Sequence, residues 1–333
     1  MDIATHALAS YVIARGFFPR RRWPVMVGML FAGTVADVDL GSALFGPSAY
    51  FAWRRTYTHS LLGTVVVILL AVLFTRALAR KNPEQHVTLF WPMFLAAGAH
   101  VLLDTLQSEG VMLLWPFRAI RFATNWLPTI DVWILVLLVG GILVPELFRL
   151  VTSEIGAKNK APRGRNGAIV ALILLAFYVA GRAALHSGST ALLEPHSYHG
   201  ESARYVGSYP DSLSLFTWHG VVETQSLVCR VEVPVGPGQT FDPESADCLH
   251  KPEPSPELDA IQKTHLARKY ISAVPFPRAV VEKNQTGYEI VIRSMRDVVE
   301  GETYHRLAAR FLVNPDFGVS SEELVWTSDV HLR

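Results

Sequence analysis

Three histidines and four aspartates stand at the ends of apolar segments in the first half of this 333-residue chain: His6, Asp37, Asp39, His59, His100, Asp104 and Asp131. Ionisable groups in such positions are costly unless they pair or bind a metal. Imidazole suits zinc, and carboxylate suits zinc, magnesium or manganese. His100 and Asp104 are i and i+4, so one helix face can offer two ligands. A bound ion would supply a water of lowered pKa and stabilise the oxyanion formed when that water attacks an electrophile. On this reading His6, Asp39, His59, His100 and Asp104 hold one or two divalent ions, zinc first and manganese or magnesium next. Asp37 and Asp131 are left for general acid–base work. The stretch Arg54-Arg55-Thr56-Tyr57-Thr58-His59-Ser60 adds two guanidiniums and the hydroxyls of Thr58 and Ser60, a set suited to holding a phosphate. Each residue taken alone has a plainer reading as a cap or an interfacial group: Thr58 or Ser60 for the helix that follows, Asp131 for the helix it opens. Their convergence favours the metal centre.

The elements that must position these residues are apolar. Half the chain is hydrophobic and its mean hydropathy is +0.26, with the excess concentrated in residues 1–185. Residues 2–18, 24–45, 60–78, 88–106, 130–148 and 167–185 read as membrane helices. The first is marginal at about 25 Å, so the expected count is five or six. Basic residues gather in alternate loops: Arg20 to Arg22, then Arg76, Arg80 and Lys81, then Arg149, Lys158, Lys160, Arg163 and Arg165. Those loops are expected on the cytoplasmic side, which places the opposite helix ends, the seven ionisable residues and everything after the last helix outside. The start carries Asp2 and His6 in place of a positive n-region and reads as a mature N-terminus. A net charge of +1 leaves no basic field for nucleic acid.

After Arg182 the composition changes. A linker with His186, His196 and His199 leads into polar sequence whose runs Leu213–Val233, Tyr288–Arg293 and Leu307–Val313 read as strands. Residues 251–257 read as a Pro/Glu-rich loop and His265–Ile271 as a short helix. The expected fold is therefore a membrane α-helical bundle (1–185) followed by a small extracytoplasmic β-rich domain (186–333). Histidines 186, 196, 199 and 219 lack a carboxylate or cysteine at matching spacing and read as solvated loop residues rather than a second metal site. The only cysteines, Cys229 and Cys248, fall in the disulfide-permissive compartment and can pair there, two buried thiols being the alternative.

Taken in order, Thr5-His6, Ala36-Asp37-Val38-Asp39, Arg54 to Ser60, His100 to Asp104, Gly110, Pro116-Phe117 and Asp131 resemble the pattern of the YdjM family. Its members are membrane-bound predicted metal-dependent hydrolases, also described as LexA-binding inner-membrane proteins. The resemblance covers about residues 1–150 and implies a hydrolase in the bacterial inner membrane. Ala36 replaces a family proline, and Arg54 and Thr56 replace a histidine and a glycine; the change at 54 removes a possible ligand or base. With the site at headgroup depth and two arginines beside it, the expected substrate is a phosphate ester of a phospholipid or polyprenyl chain. Two other classes compete. A transporter or proton relay would carry its ionisable groups near the bilayer midplane on discontinuous helices. A non-catalytic membrane regulator would fit the LexA-binding description.

Overall fold

The computed structural model describes residues 1–19, 23–79, 89–154, 164–299 and 306–327. Most of the basic residues behind the expected orientation, Arg20 to Arg22, Arg80, Lys81, Lys158, Lys160 and Arg163, lie outside the described residues. The chain divides into two units, Met1–Gly41 with Trp53–Ala183, and Ser42–Ala52 with Ala184–Arg333.

The first unit is helical. Helix α1 (Ile3–Phe17) is followed by α2 (Trp23–Ala32) and a 3-10 stretch, Val35–Phe45; then come α4 (Leu61–Leu78), α5 (Phe90–Thr105), α6 (Val132–Glu154) and α7 (Arg165–Leu193), while α3 (Pro47–Trp53), which precedes α4 in sequence, falls almost wholly in the second unit. Among the described residues three helices are long and apolar enough to cross a membrane: α4, Val132–Leu150 within α6, and α7. A fourth results if α2 and the 3-10 stretch, bent by 43°, form one broken span. This corrects the expected five to six. Helices α1 and α5 have 15 and 16 residues, or roughly 22–24 Å at 1.5 Å per residue, short of the hydrocarbon core. Proline 19 limits α1, because Phe18 before it is pushed out of helical geometry.

On α4 the exposed residues Leu61, Leu62, Val65, Val66, Leu69, Leu70 and Leu73 follow the helical period, while Val67, Ile68 and Ala71 are buried. An apolar stripe left open on a helix of this length fits a lipid-facing surface. Ile68 and Ala71 pack with Ile13, Val25, Met29, Met93 and Ala96 in one core. A second core gathers Val12, Leu103, Leu106, Ile134, Leu138 and Ala171. Helices α1 and α5 contribute to both, which fixes them from two sides. They carry His6, His100 and Asp104.

The second unit holds two four-stranded antiparallel sheets and a two-stranded ribbon of Ser197–Tyr198 (β1) with Glu201–Ser202 (β2). One sheet is ordered β3 (Tyr205–Pro210), β4 (Thr217–Glu223), β5 (Leu227–Pro234), β6 (Asp247–His250). The expected run Leu213–Val233 is thus a hairpin, β4 and β5, broken by the turn after Glu223. Pro256 opens α8 (Pro256–Gln262), its missing N–H costing nothing at a helix start, and α9 (His265–Ala273) follows. The other sheet runs β10 (Val319–Trp326), β9 (Leu307–Val313), β8 (Gly287–Ser294), β7 (Pro277–Asn284), with α10 (Met295–Val299) between β8 and β9. Tyr50 and Phe51 of α3 are themselves part of this unit and pack on its Trp326 and Tyr270, with ring centroids 5.3 and 5.9 Å apart. Cys229 and Cys248 are register partners across β5 and β6 and are joined as a disulfide. His186 lies on α7 and His219 on β4, not in solvated loops as expected, and these two and His196 have partners of their own. His196 meets the Leu192 carbonyl at 2.7 Å, His219 meets Asp211 at 3.2 Å, and His186 lies against the Trp218 ring.

Candidate metal centre

Each ligand-type side chain is aimed by a local device. Asp2 caps α1 by accepting from Thr5 N at 2.9 Å, which starts the helix one turn before His6. Ser60 caps α4 by accepting from Gly63 N at 3.0 Å, leaving His59 in the turn just outside it. His100 and Asp104 lie one turn apart on α5. His100 Nδ1 meets the carbonyl of Gly33 at 2.9 Å. Glycine suits position 33, where a Cβ would come 1.8 Å from Ser10 Oγ and 3.0 Å from Ser10 Cβ on α1. That close approach brings the end of α2 against α1 and lets its carbonyl orient the α5 imidazole.

Three imidazole nitrogens converge as a result. His6 Nε2 lies 3.2 Å from Asp104 Oδ1 and 3.8 Å from Asp37 Oδ2; His59 Nε2 lies 3.1 Å from Asp104 Oδ2 and 3.0 Å from His100 Nε2. His6, Asp37, His100 and Asp104 are all buried and offer four ligand atoms within 4.8 Å of one another. The rings of His6 and His100 are 3.8 Å apart at their centroids.

This donor set fits a divalent ion. His100 Nδ1 faces a carbonyl, so it is the donor and Nε2 carries the lone pair. His59 Nδ1 lies 3.1 Å from Asp39 Oδ2 and 3.0 Å from Thr58 Oγ1, which assigns His59 in the same way. Two Nε2 lone pairs then face each other at 3.0 Å, an arrangement that only a proton or a metal cation between them makes favourable. Asp37 Oδ2, Asp104 Oδ2 and His6 Nδ1 are buried without a hydrogen-bond partner. A buried polar atom left so costs on the order of 1–3 kcal/mol, and a metal would satisfy both carboxylate oxygens. His6, Asp37, His59, His100 and Asp104 are the residues that would hold it.

The geometry places Asp37, and not Asp39, in the ligand group. Asp39 accepts from Arg54 Nη1 at 2.8 Å and from Arg55 N at 2.7 Å, and it backs His59 as the outer carboxylate of a carboxylate–histidine pair. Arg55 is fully buried rather than open to a substrate. Its Nη2 donates to Gln107 Oε1 at 2.8 Å and lies 3.3 Å from Asp104 Oδ1, and its Nε is 3.3 Å from Glu109. Its φ of 55° is left-handed, a strained value for a residue with a Cβ. Thr58 donates to Asp39 Oδ2 at 3.3 Å, and Ser60 is a cap. Asp131 stands apart from the ligand group: it caps α6 through Trp133 N and Ile134 N, both at 3.0 Å, and accepts from Tyr178 at 2.8 Å.

Gln107 and Glu109 were not foreseen as part of the site. Gln107 had a signal, since 100, 104 and 107 extend one helical face. It fastens the following loop by donating to the carbonyls of Pro128 and Thr129 at 3.1 and 3.2 Å. The amino group of Met1 also lies against Asp104 and donates to Gln107 Oε1 at 2.7 Å.

A bundle of apolar helices with histidines and aspartates gathered at one buried point defines an integral membrane protein with a centre able to take a metal ion. Residues 1–188, which contain every residue of that centre, match the YdjM inner membrane protein family, and the chain belongs to it. No curated protein and no solved structure matches the chain.

Proposed function

We propose that the protein is a membrane-embedded, metal-dependent hydrolase acting on a phosphate ester of a lipid or polyprenyl substrate at the outer face of the inner membrane. The observation that carries this is the meeting of three imidazoles with Asp37 and Asp104 around buried oxygens that lack partners. Three nitrogens and carboxylate oxygen form a donor set suited to zinc, with manganese or magnesium as the other candidates. When bound, the ion would supply an activated water and polarise a phosphoryl oxygen.

The lipid part of the reading is supported by the loop that follows α5. Met112 N donates to the Arg55 carbonyl at 3.0 Å, Leu61 N to the Leu113 carbonyl at 2.9 Å, and Arg121 Nη2 to the Arg54 carbonyl at 3.0 Å. These bonds lay residues 111–121 along the segment that carries His59. Tyr57 packs edge-on against Trp115 at 4.5 Å and against Trp53 at 6.0 Å. Phe117 and Ile120 are exposed with Arg118 between them. Aromatic and basic side chains mixed in this way suit the headgroup layer. The outward orientation is supported by the Cys229–Cys248 disulfide, a bond kept in oxidising compartments.

The test is purification of the full chain in detergent without chelators, with metal content and phosphate release from a diacyl or polyprenyl phosphate measured together. Stoichiometric divalent metal and release abolished by EDTA are expected. Protein that carries no metal and hydrolyses neither substrate after reloading would sink the reading.

A further inference from the structure

Asp37 and Asp39 lie two residues apart on the 3-10 stretch and turn one oxygen each toward a single atom. Arg54 Nη1 lies 3.2 Å from Asp37 Oδ1 and 2.8 Å from Asp39 Oδ1, with the arginine side chain only 11% exposed. Carboxylates converging on one point beside a ligand group are what a second divalent ion would require, because two-metal sites hold their ions about 4 Å apart across shared carboxylates. Asp37 is placed to be that shared carboxylate. Its Oδ2 faces His6 Nε2 at 3.8 Å and has no hydrogen-bond partner, while its Oδ1 faces Arg54. Asp39 has nothing left to offer on its other oxygen, which accepts from Arg55 N at 2.7 Å and Thr58 Oγ1 at 3.3 Å and backs His59 Nδ1 at 3.1 Å.

We propose that this centre takes a single divalent cation, and that the Arg54 guanidinium occupies the position a second one would need. The inference rests on the metal reading of the site and concerns how many ions that site accepts. Its physical basis is charge. Asp37, Asp39, Asp104 and Glu109 face Arg54 and Arg55, so one divalent ion already balances the carboxylates. A second would have to displace Arg54 and leave a guanidinium buried without its partners, an arrangement that costs several kcal/mol in a low-dielectric site. A covalently attached cation also cannot be lost to a chelator or exchanged, so the pair of aspartates stays in place whether or not the ion site is filled.

The experiment is a metal count with a spectroscopic signature. Full-length protein in detergent is stripped, reloaded with excess Mn²⁺ and desalted. Manganese per chain is then measured by mass spectrometry, and the electron paramagnetic resonance spectrum is recorded. Wild type should hold one ion per chain with the six-line signal of an isolated Mn²⁺. R54A, which takes the guanidinium away from Oδ1 of Asp37 and Oδ1 of Asp39, should bind a second ion and show the exchange-coupled signal of a neighbouring pair; R54Q, closer in size and neutral, does the same if R54A does not fold. Two coupled ions in wild type would overturn the inference and leave the metal reading standing. A folded R54A or R54Q that still holds one ion would also overturn it. No bound ion in wild type would remove both readings at once.

Discussion

Asp104 and Asp131 are both buried carboxylates of the helical unit, and they are treated in opposite ways. Asp131 has a donor for each oxygen: two backbone N–H groups at the start of α6 on one and the Tyr178 hydroxyl on the other. Asp104 is surrounded by imidazoles, a guanidinium and the Met1 amino group, and its Oδ2 has against it only the Nε2 atoms of His59 and His100, at 3.1 and 3.7 Å. A satisfied buried carboxylate is an account that closes within the fold. One whose oxygen meets only imidazole nitrogens is satisfied when a proton or a metal cation sits among them. The difference separates a residue that holds a helix start from one that can hold an ion, although both have the same side chain at an apolar helix end.

The largest effect that would break this comparison is expected at Asp104. Asp104→Ala removes a ligand and takes from the buried Arg55 guanidinium one of its two carboxylates, leaving Glu109, a loss of about 3 kcal/mol at the lower end for a broken buried pair. Metal content should fall to background, and the chain in detergent should unfold at clearly lower denaturant. An Asp104→Ala protein that keeps its metal would show that Asp104 is no more a ligand than Asp131. Asp39→Asn comes next. The amide can still accept from Arg55 N but backs His59 more weakly, so metal should be retained with affinity lowered by roughly 10–100-fold, as for other outer carboxylates. Complete loss of metal in titrations of this variant would make Asp39 a direct ligand.

Asp131→Ala should cost stability without touching the ion. The lost cap and the lost Tyr178 bond amount to about 1–2 kcal/mol together. Metal per chain should match wild type. Should Asp131→Ala lose both metal and hydrolysis, the carboxylate would belong to the chemistry after all and the contrast with Asp104 would fail.

The sequence carried the helices and the ligand types because both are local. Hydropathy marked the apolar segments, and the i, i+4 spacing joined His100 to Asp104. It overcounted the spans because α1 and α5 are apolar segments that are too short to cross, and length is decided by breaks such as Pro19. The division of labour among the aspartates was not legible. Asp37 and Asp39 are alike in sequence, and only the path of the chain, which delivers Arg54, Arg55 N and His59 Nδ1 to Asp39, separates ligand from support. The burial of Arg55 was hidden for a similar reason. Its partners Gln107 and Glu109 are more than fifty residues away and meet it only when α5 packs on the turn before α4.

The smallest effect lies in the β-rich unit, where Glu201 repeats the satisfied pattern of Asp131 at a half-buried position. Thr224 Oγ1 donates to it at 2.6 Å, Ser226 N at 2.9 Å and Ser226 Oγ at 2.5 Å. Those donors hold its carboxyl down to about 2, against an ordinary value of 4.5. Because the folded value lies below the unfolded one, the ionised carboxylate contributes stability that is complete above pH 4.5 and is lost as pH falls from there toward 2. Glu201→Gln, which accepts more weakly and cannot titrate, should therefore weaken this turn at neutral pH and match wild type once the carboxyl is protonated. Amide hydrogen exchange of peptides covering residues 201–227, compared between the two proteins at each pH, reads this directly. Protection should differ near pH 6 and converge toward pH 2. A difference that stays constant across that range would mean that the side-chain shape, and not the satisfied charge, holds the turn.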